Sequence, residues 1–370
     1  MKNAKTATVD CIMVGCDLHD ENMLLKIASG KEKPRTASYG NTFAGRRRMI
    51  ADLSKQALKA GGAKVHFVYE ASGLGFTLCD DLREAGFSCD VVAPTKMERS
   101  PKHRRTKTDE KDAEALLAVL RAHLLAGNEL PKVWIPDKQT RDDREITRAR
   151  LDVGDKLTTV KTQVQTLLKS HGIRKPKDVG KPWTVSHRGW LRELAQAKKE
   201  QRGVGVHMGS LLRQLEMLED EMNLLGEEIA RLAQEPRYKA ACAAISAQRG
   251  VGQLTAMVFL TELGDLARFS NGKQIGCYMG LVPSSNESGE KKDRKGHITG
   301  EGPARIRKVL CQAAWSWVRL NEQPGGQYAA MVERGKSKKK ALVAAMRKLG
   351  VHLWHVGLEA LKAQAMAAVA

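Results

Sequence analysis

The stretch KTDEKDAEALL, residues 107–117, begins a predicted helix, and the interpretation of the fold starts from it. Asp109 and Asp112 are three residues apart, so in a helix both carboxylates project from one face and could bind the same hard cation. A purely structural alternative is a capping box, with Asp109 as the N-cap and Asp112 as the third helical residue. The positions of the other isolated acidic residues decide between these alternatives.

The preceding sequence predicts alternating short strands and helices. The apolar, β-branched run TVDCIMVGCDL, residues 8–18, has the length of a buried strand. The remaining predicted elements are strands at 22–28, 35–39, 64–69 and 88–93 and helices at 44–60 and 78–85. The order is three strands, helix, strand, helix, strand, helix. This order, with acids at the strand ends, predicts an RNase H-like (RuvC-like) α/β domain.

Two further acids fall at the ends of predicted strands. Asp17 ends the first strand and Glu70 follows the fourth. Because neighbouring parallel strands end at the same edge of a sheet, we expect these carboxylates to meet, with Asp109 and Asp112 approaching from the covering helix. Four carboxylates in one crevice repel each other unless cations neutralise them, and two Mg²⁺ about 4 Å apart would suit a phosphodiester substrate. Taken singly, each acid could instead be a surface charge or a helix cap.

Composition indicates a polyanionic partner. The chain has 370 residues, enough for two or three domains, and a net charge of +20. Nucleic acid is therefore the expected partner. No apolar segment approaches the roughly 20 residues that span a bilayer, so we expect a cytoplasmic, nucleoid-associated protein. The 7 scattered cysteines predict neither a disulfide framework nor a zinc module.

A basic segment, residues 96–107, separates the fifth strand from the acidic helix. Arg104, Arg105 and Lys107 are its candidate phosphate contacts, because acids and metals alone would not guide a DNA backbone into the site. The alternative is an ordinary solvated loop.

The middle of the chain predicts a helical arm, residues 137–236. Apolar residues at three-and-four spacing from 146 to 167, and again from 211 to 232, predict two long helices fit to form a coiled coil. The two helices could pair as an antiparallel hairpin or with a second subunit. Between them lies a basic insertion, residues 169–207, in which Trp183, His187 and Trp190 could stack bases or simply pack a small subdomain.

The C-terminal part, residues 237–370, predicts a mainly helical domain. The sequence ISAQRGVGQLTA, residues 245–256, has the form of a helix-hairpin-helix turn, in which Arg249, Gly250 and Gly252 could contact a phosphate. A polar loop, residues 280–297, precedes a predicted helix that has Pro303 in its first turn and reaches Leu320. The last helix begins with a basic end, and its Lys338, Lys339 and Arg347 are candidate phosphate contacts.

The motifs together resemble a known family. The successive segments VGCDLH, FVYEASG, KTDEKDAEALL, RGVGQLTA, GLVPSSNESG and KSKKKALVAAMRKL are similar, in order and over nearly the whole chain, to the DEDD transposases of the insertion-sequence one-ten family. These enzymes are bridge-RNA-guided recombinases. The resemblance implies that Asp17, Glu70, Asp109 and Asp112 bind Mg²⁺ and that Ser288 is a nucleophile in a separate transposase domain.

The resemblance also implies partners and a reaction. The enzyme is expected to act on double-stranded DNA at element ends and at a target, with a structured guide RNA, as a dimer that assembles into a tetramer. In such assemblies the metal domain of one subunit meets the serine of another. Nucleophilic attack by Ser288 would give a phosphoserine intermediate, which conserves the energy of the cleaved bond.

Two features depart from the family. The segment Thr299–Pro303 lacks the Lys or Arg that the family usually carries before this helix, and the basic insertion is longer than expected. Two other functions are compatible with the residues. One is a RuvC-like structure-selective nuclease or junction resolvase that uses only the four acids, and the other is a nucleic-acid-binding scaffold without catalysis.

Overall fold

The protein is described here by a computed structural model that covers residues 11–96, 108–197, 202–285, 295–320 and 322–369. Contacts divide the chain into two compact units, Met1–Ile135 and Pro136–Ala370. The expected helical arm and C-terminal domain share the second unit, and their division into separate domains stays a prediction. No helix of the described part is both long and apolar enough to cross a membrane.

The first unit contains a five-stranded mixed sheet with the strand order β3-β2-β1-β4-β5. β1 pairs antiparallel with β2 and parallel with β4, β2 pairs antiparallel with β3, and β4 pairs parallel with β5. The strands are β1 Cys11–Leu18, β2 Asn22–Ser29, β3 Arg35–Gly40, β4 Lys64–Glu70 and β5 Ser88–Val92. The helices are α1 Phe43–Lys59, α2 Thr77–Glu84 and α3 Asp109–Ala126. This architecture is compatible with the predicted RNase H-like domain.

Both faces of the sheet are covered, because the strands carry apolar side chains on both sides. Val14 and Phe67 point to one face, where Met49 and Leu53 of α1 complete the core. The opposite face carries a smaller cluster in which side chains of the sheet meet α3, with members Met13, Val68, Val92, Leu116, Leu117 and Leu120. Residues that alternate along β1 and β4 therefore face either α1 and α2 or α3.

The second unit begins with two long helices, α4 Lys138–Ser170 and α6 Arg202–Leu232. They run antiparallel, because Gln139 contacts Glu235 whereas Lys161, further along α4, contacts Glu219. Their shared core is aliphatic. Pairing therefore occurs within one chain, as one of the two alternatives predicted; a coiled coil in the strict sense stays a prediction.

The basic insertion contains a helix, α5 Val185–Ala197, that packs against α6. His187 is only 4% exposed, and its ring centroid lies 5.6 Å from the rings of both Trp183 and Trp190. Burial of the histidine among these rings favours packing of a small subdomain over a platform for bases.

The rest of the second unit is helical around a central helix. The elements are α7 Lys239–Ser246, α8 Gln253–Leu263, α9 Gly272–Tyr278, the ribbon of β6 Pro283–Ser285 and β7 Lys295–Ile298, α10 Ala304–Leu320, α11 Glu322–Glu333 and α12 Lys338–Val369. Residues Ala256 to Leu263 of α8 are all buried, as expected for a helix surrounded by others. The turn before α8 needs Gly250, which has a φ of 80° and would bring a Cβ within 3.0 Å of Trp317 N in α10. A helix-hairpin-helix function for this turn stays a prediction.

Candidate metal centre

Asp17 and Glu70 lie at the same edge of the sheet. Cys16 of β1 pairs with Tyr69 of β4, and the two acids are the next residues along these parallel strands. Met13 and Val68, which share their alternation, pack on the side of the sheet that α3 covers. Both carboxylates therefore belong to the side on which α3 begins.

The start of α3 corrects the predicted capping box. Thr108, not Asp109, is the N-cap, and its side chain accepts a hydrogen bond from the backbone N–H of Lys111 at 3.4 Å. Both residues are good caps, so the sequence did not separate them. Asp109 and Asp112 instead lie in the first turn, where the positive end of the helix dipole favours acids.

Close packing of α3 against β1 brings its first turn towards Asp17. A Cβ on Gly15 would lie 2.4 Å from both the Ala113 carbonyl oxygen and the Leu117 backbone nitrogen. Only glycine permits such an approach of helix backbone to strand. Asp112 immediately precedes this contact along α3, and Asp17 follows it two residues later along β1.

Three side chains form the centre of the candidate site. His19 Nε2 lies 3.0 Å from Asp17 Oδ2 and 3.5 Å from Asp109 Oδ1. One ligand atom from each of the three residues falls within 4.8 Å of the others, and Glu70 and Asp112 lie outside this group. His19 was not among the predicted site residues. The sequence offered a modest indication, since His19 is only two positions beyond Asp17.

The electrostatics of the site suit a divalent cation. Burial raises the pKa of the Asp17 carboxyl above its ordinary value; His19 opposes this, and the charges of Asp109 and Asp112 raise it further. A hard cation would offset this repulsion, and carboxylate oxygens are its preferred ligands. The two carboxylates and the imidazole could therefore hold a divalent cation.

A buried cation supports the first turn of α3. The Lys26 side chain is 11% exposed, and its Nζ donates hydrogen bonds to Thr36 Oγ1 at 2.7 Å and Glu110 Oε2 at 3.3 Å. Lys26 is also the residue of β2 that pairs with Gly15. Gly15 thus lets α3 lie close to the sheet, and Lys26, beside it on β2, holds the start of that helix through its ion pair with Glu110.

Known proteins match both units. A family model described as "Transposase", of the DEDD IS110 type, covers residues 14–173, and one described as "Transposase IS116/IS110/IS902 family" covers residues 242–329. A putative transposase of Sinorhizobium fredii, y4qE, is 30% identical over 375 residues, which cover 94% of this chain and 88% of the relative. The chain belongs to the IS110 family of DEDD transposases.

Two more distant relatives broaden the comparison. The transposase for insertion sequence element IS1533 of Leptospira borgpetersenii is 25% identical over 346 residues, which cover 92% of this chain and 94% of the relative. The pilin gene-inverting protein of Moraxella bovis is 26% identical over 249 residues, which cover 66% of this chain and 64% of the relative. This transposase is accordingly an enzyme that cleaves and recombines DNA, and the DEDD family implies dependence on a divalent metal.

Several predicted site residues of the transposase lie outside the described residues, namely Ser288, Arg104, Arg105 and Lys107. Of the predicted phosphate contacts near the C-terminus, Lys339 and Arg347 line a large groove, and Lys338 does not. Arg249 is exposed beside Gly250 in the turn before α8. The site residues of the second unit therefore stay predictions.

Proposed function

We propose that this transposase cleaves and exchanges DNA strands by Mg²⁺-dependent chemistry in which Ser288 is the nucleophile. The observation that carries the proposal is the convergence of Asp17 and Asp109, whose oxygens share a 4.8 Å cluster with His19 Nε2. Two carboxylates from separate elements meet there, and 17% of the Asp17 side chain and 62% of the Asp109 side chain are exposed, so the cluster is open to solvent.

Asp17, Glu70, Asp109 and Asp112 would hold the metal, as two ions per site. Bound Mg²⁺ would polarise the phosphodiester and stabilise negative charge on the leaving oxygen. The protein residues fix the geometry: β1 and β4 carry two carboxylates, and the Gly15 contact with α3 sets the position of the other two.

Ser288 would carry the covalent step. Its Oγ forms a bond to phosphorus, the bond between phosphorus and the 3′ oxygen breaks, and the serine proton ends on the released 3′ hydroxyl. Attack by another strand's 3′ hydroxyl on the phosphoserine reverses the step and rejoins DNA without an external energy source. The pilin gene-inverting relative supports rejoining over simple hydrolysis, because a gene can be inverted only if cut strands are joined again.

The remaining partners follow from charge and from the family. A chain with a net charge of +20 binds phosphate backbones without reading sequence, so base pairing by a structured guide RNA would select the DNA at element ends and target. A dimer that assembles into a tetramer would place the serine of one subunit at the metal centre of another.

The first test asks whether the covalent adduct depends on Ser288 and whether DNA cleavage depends on Asp17 and Asp109. With element-end DNA, Mg²⁺ and co-purified RNA, we expect an SDS-stable protein–DNA adduct that Ser288→Ala abolishes. Asp17→Asn and Asp109→Asn should abolish both cleavage and adduct while DNA binding remains. Asp20→Asn, which changes an exposed acid three residues beyond Asp17, is the matched control and should retain activity.

Each outcome has a definite meaning. An adduct that survives Ser288→Ala excludes the serine as nucleophile, and cleavage without any adduct indicates a nuclease that uses only the acids. Sequencing of the co-purified RNA tests the guide: one discrete RNA with loops complementary to element end and target supports it, and bulk cellular RNA contradicts it.

A further inference from the structure

A basic groove lies in the second unit, between α9, the β6–β7 ribbon and α12. Its volume is about 1030 Å³. Six cationic side chains line it, contributed by α9, by the segment before α12 and by α12 itself: Lys273, Lys336, Lys339, Lys340, Arg347 and Lys348. Among the described residues that line the groove, none carries a carboxylate, so nothing on its walls offsets this charge. Such a groove attracts a polyanion.

The same groove has an apolar floor. Leu281, Ile298, Met331, Val343 and Val351 contribute to it, and Ile298 of β7 is 38% exposed. His297, His352 and His355 add flat rings along the wall. Phosphates alone would need only the cations. Apolar side chains and rings suit a ligand that also presents flat, weakly polar faces.

Helices α9 and α12 pack closely along the groove, and Arg347, one of its cations, lies at this contact. A Cβ on Gly276 of α9 would lie 2.8 Å from Arg347 Nε, and a Cβ on Gly272 would lie 2.8 Å from Val351 Cγ1. The glycines therefore let α12 lie against α9 at a distance that larger residues forbid. The lining face of α12 extends from Lys339 to Lys348 and on to His355, about 24 Å at 1.5 Å per residue.

We propose that this groove binds an unpaired stretch of the DNA substrate, with phosphates on the cations and bases against the apolar floor. A duplex hides its base faces, so only unpaired nucleotides can use that floor. DNA is the occupant that the transposase activity supplies, and binding of RNA is an outcome of the test. The inference rests on the proposed function, since strand exchange exposes unpaired DNA.

Lys362 and Lys339 provide a matched pair for the test. Both are exposed lysines of α12, and only Lys339 lines the groove. Binding of a fluorescent 12-nucleotide DNA strand to the full chain would be measured in chelator, so that no cleavage occurs, over a series of salt concentrations. We expect Lys339→Gln to weaken binding about fivefold and to reduce the salt slope by about 0.7, the value for one contact with a single strand. Lys362→Gln should change the affinity by less than about twofold and leave the salt slope unchanged.

The apolar floor needs a separate variant. Ile298→Ser replaces an exposed side chain, so folding should be retained, and thermal melting would verify this. We expect about fivefold weaker strand binding with an unchanged salt slope, because a base contact is lost and no phosphate contact.

Other outcomes overturn the inference. Equal binding by Lys362→Gln and Lys339→Gln would remove the groove as the binding site, whether or not the enzyme cleaves DNA. Tighter, Lys339-dependent binding of a duplex or of RNA of the same sequence would refute an unpaired DNA strand as the ligand. Conversely, a failure of the serine test that leaves Lys339-dependent strand binding intact would affect only the proposed chemistry.

Discussion

The backbone nitrogen of Leu117 in α3 lies where a side chain on Gly15 of β1 would begin: a Cβ there would be 2.4 Å away. Strand and helix therefore touch backbone to backbone at a point two residues from Asp17. The separation of Asp17 from Asp109 depends on this contact, because the helix that carries Asp109 can approach no closer than residue 15 allows.

Gly15→Ala should accordingly slow DNA cleavage strongly in a protein that still folds. The added methyl forces α3 away from the sheet and separates Asp109 from Asp17, and we expect DNA cleavage to fall by about 100-fold, the loss typical of a displacement of about 1 Å at a catalytic centre. Cleavage rates measured over a range of Mg²⁺ concentrations would check this.

Gly73→Ala is the control for that variant, because a Cβ at Gly73 would meet no atom within 4 Å and its backbone is not left-handed. Its cleavage rate should match that of the wild type. Equal activity of Gly15→Ala and Gly73→Ala would show that the metal centre tolerates a shift of α3.

Lys26 offers a second, gentler perturbation of the same helix. Lys26→Met keeps most of the buried aliphatic stem and removes the ion pair with Glu110 and the hydrogen bond to Thr36. We expect about tenfold slower cleavage and a higher Mg²⁺ requirement, with DNA binding unchanged, because the first turn of α3 loses its anchor.

Glu110→Gln should reproduce part of that effect, since it weakens the same ion pair from the other side. Lys31→Met, which removes an exposed cation from the turn after β2, should change neither the rate nor the Mg²⁺ requirement. If Lys26→Met and Lys31→Met behave alike, Lys26 contributes only to packing.

Local patterns in the sequence predicted the first unit well, for physical reasons. A strand buried on both faces, such as β1, is a nearly continuous apolar run, so its position and its terminal Asp17 can be recognised without any tertiary information. The helices end at glycines for the same local reasons. The N-cap was misplaced by one residue because Thr108 and Asp109 are both suited to that position.

Contacts between distant residues were not predictable in this way. The Lys26–Glu110 pair joins residues 84 positions apart, and no local pattern encodes it. His19 reaches Asp109 from the turn after β1, where Asn41 Nδ2 donates a hydrogen bond to the His19 carbonyl oxygen at 2.7 Å. The basic groove collects cations from elements between Lys273 and Lys348, and only Lys339 and Arg347 were identified beforehand.

The helical insertion should be sensitive to acid through Glu219. Hydrogen bonds from Arg188, one of them 2.7 Å long, lower the pKa of the Glu219 carboxyl below its ordinary value, against the effect of burial. A lowered folded-state pKa stabilises the fold above the unfolded value of about 4.3, and this stabilisation is lost as pH falls through the folded value. We expect the free energy of unfolding of the wild type to exceed that of Glu219→Gln by about 1 kcal/mol at pH 7, and this difference to shrink as the pH falls through the folded-state pKa of Glu219.

Thermal unfolding of both proteins across this pH range would measure the difference. Glu216→Gln is the control, because Glu216 pairs with Arg192 at 2.6 Å in a geometry that leaves both side chains about half exposed. Its difference from wild type should be small at every pH. A Glu219 difference that does not shrink on acidification would show that the glutamate acts through packing and not through its charge.

The buried ion pair between Arg148 and Glu262 should contribute to the stability of the second unit. Glu262 of α8 is 3% exposed and accepts hydrogen bonds from Arg148 of α4 at 2.8 and 3.2 Å. Glu262→Ala leaves that guanidinium without its buried partner, and we expect the free energy of unfolding in urea to fall by about 3 kcal/mol. Arg148 also contacts Glu145 at 3.2 Å, but the Glu145 side chain is 70% exposed. Glu145→Ala should therefore lower the free energy of unfolding by less than about 0.5 kcal/mol. Similar losses for the two variants would mean that water compensates equally for either carboxylate, and that the Arg148–Glu262 pair contributes little to holding α4 against α8.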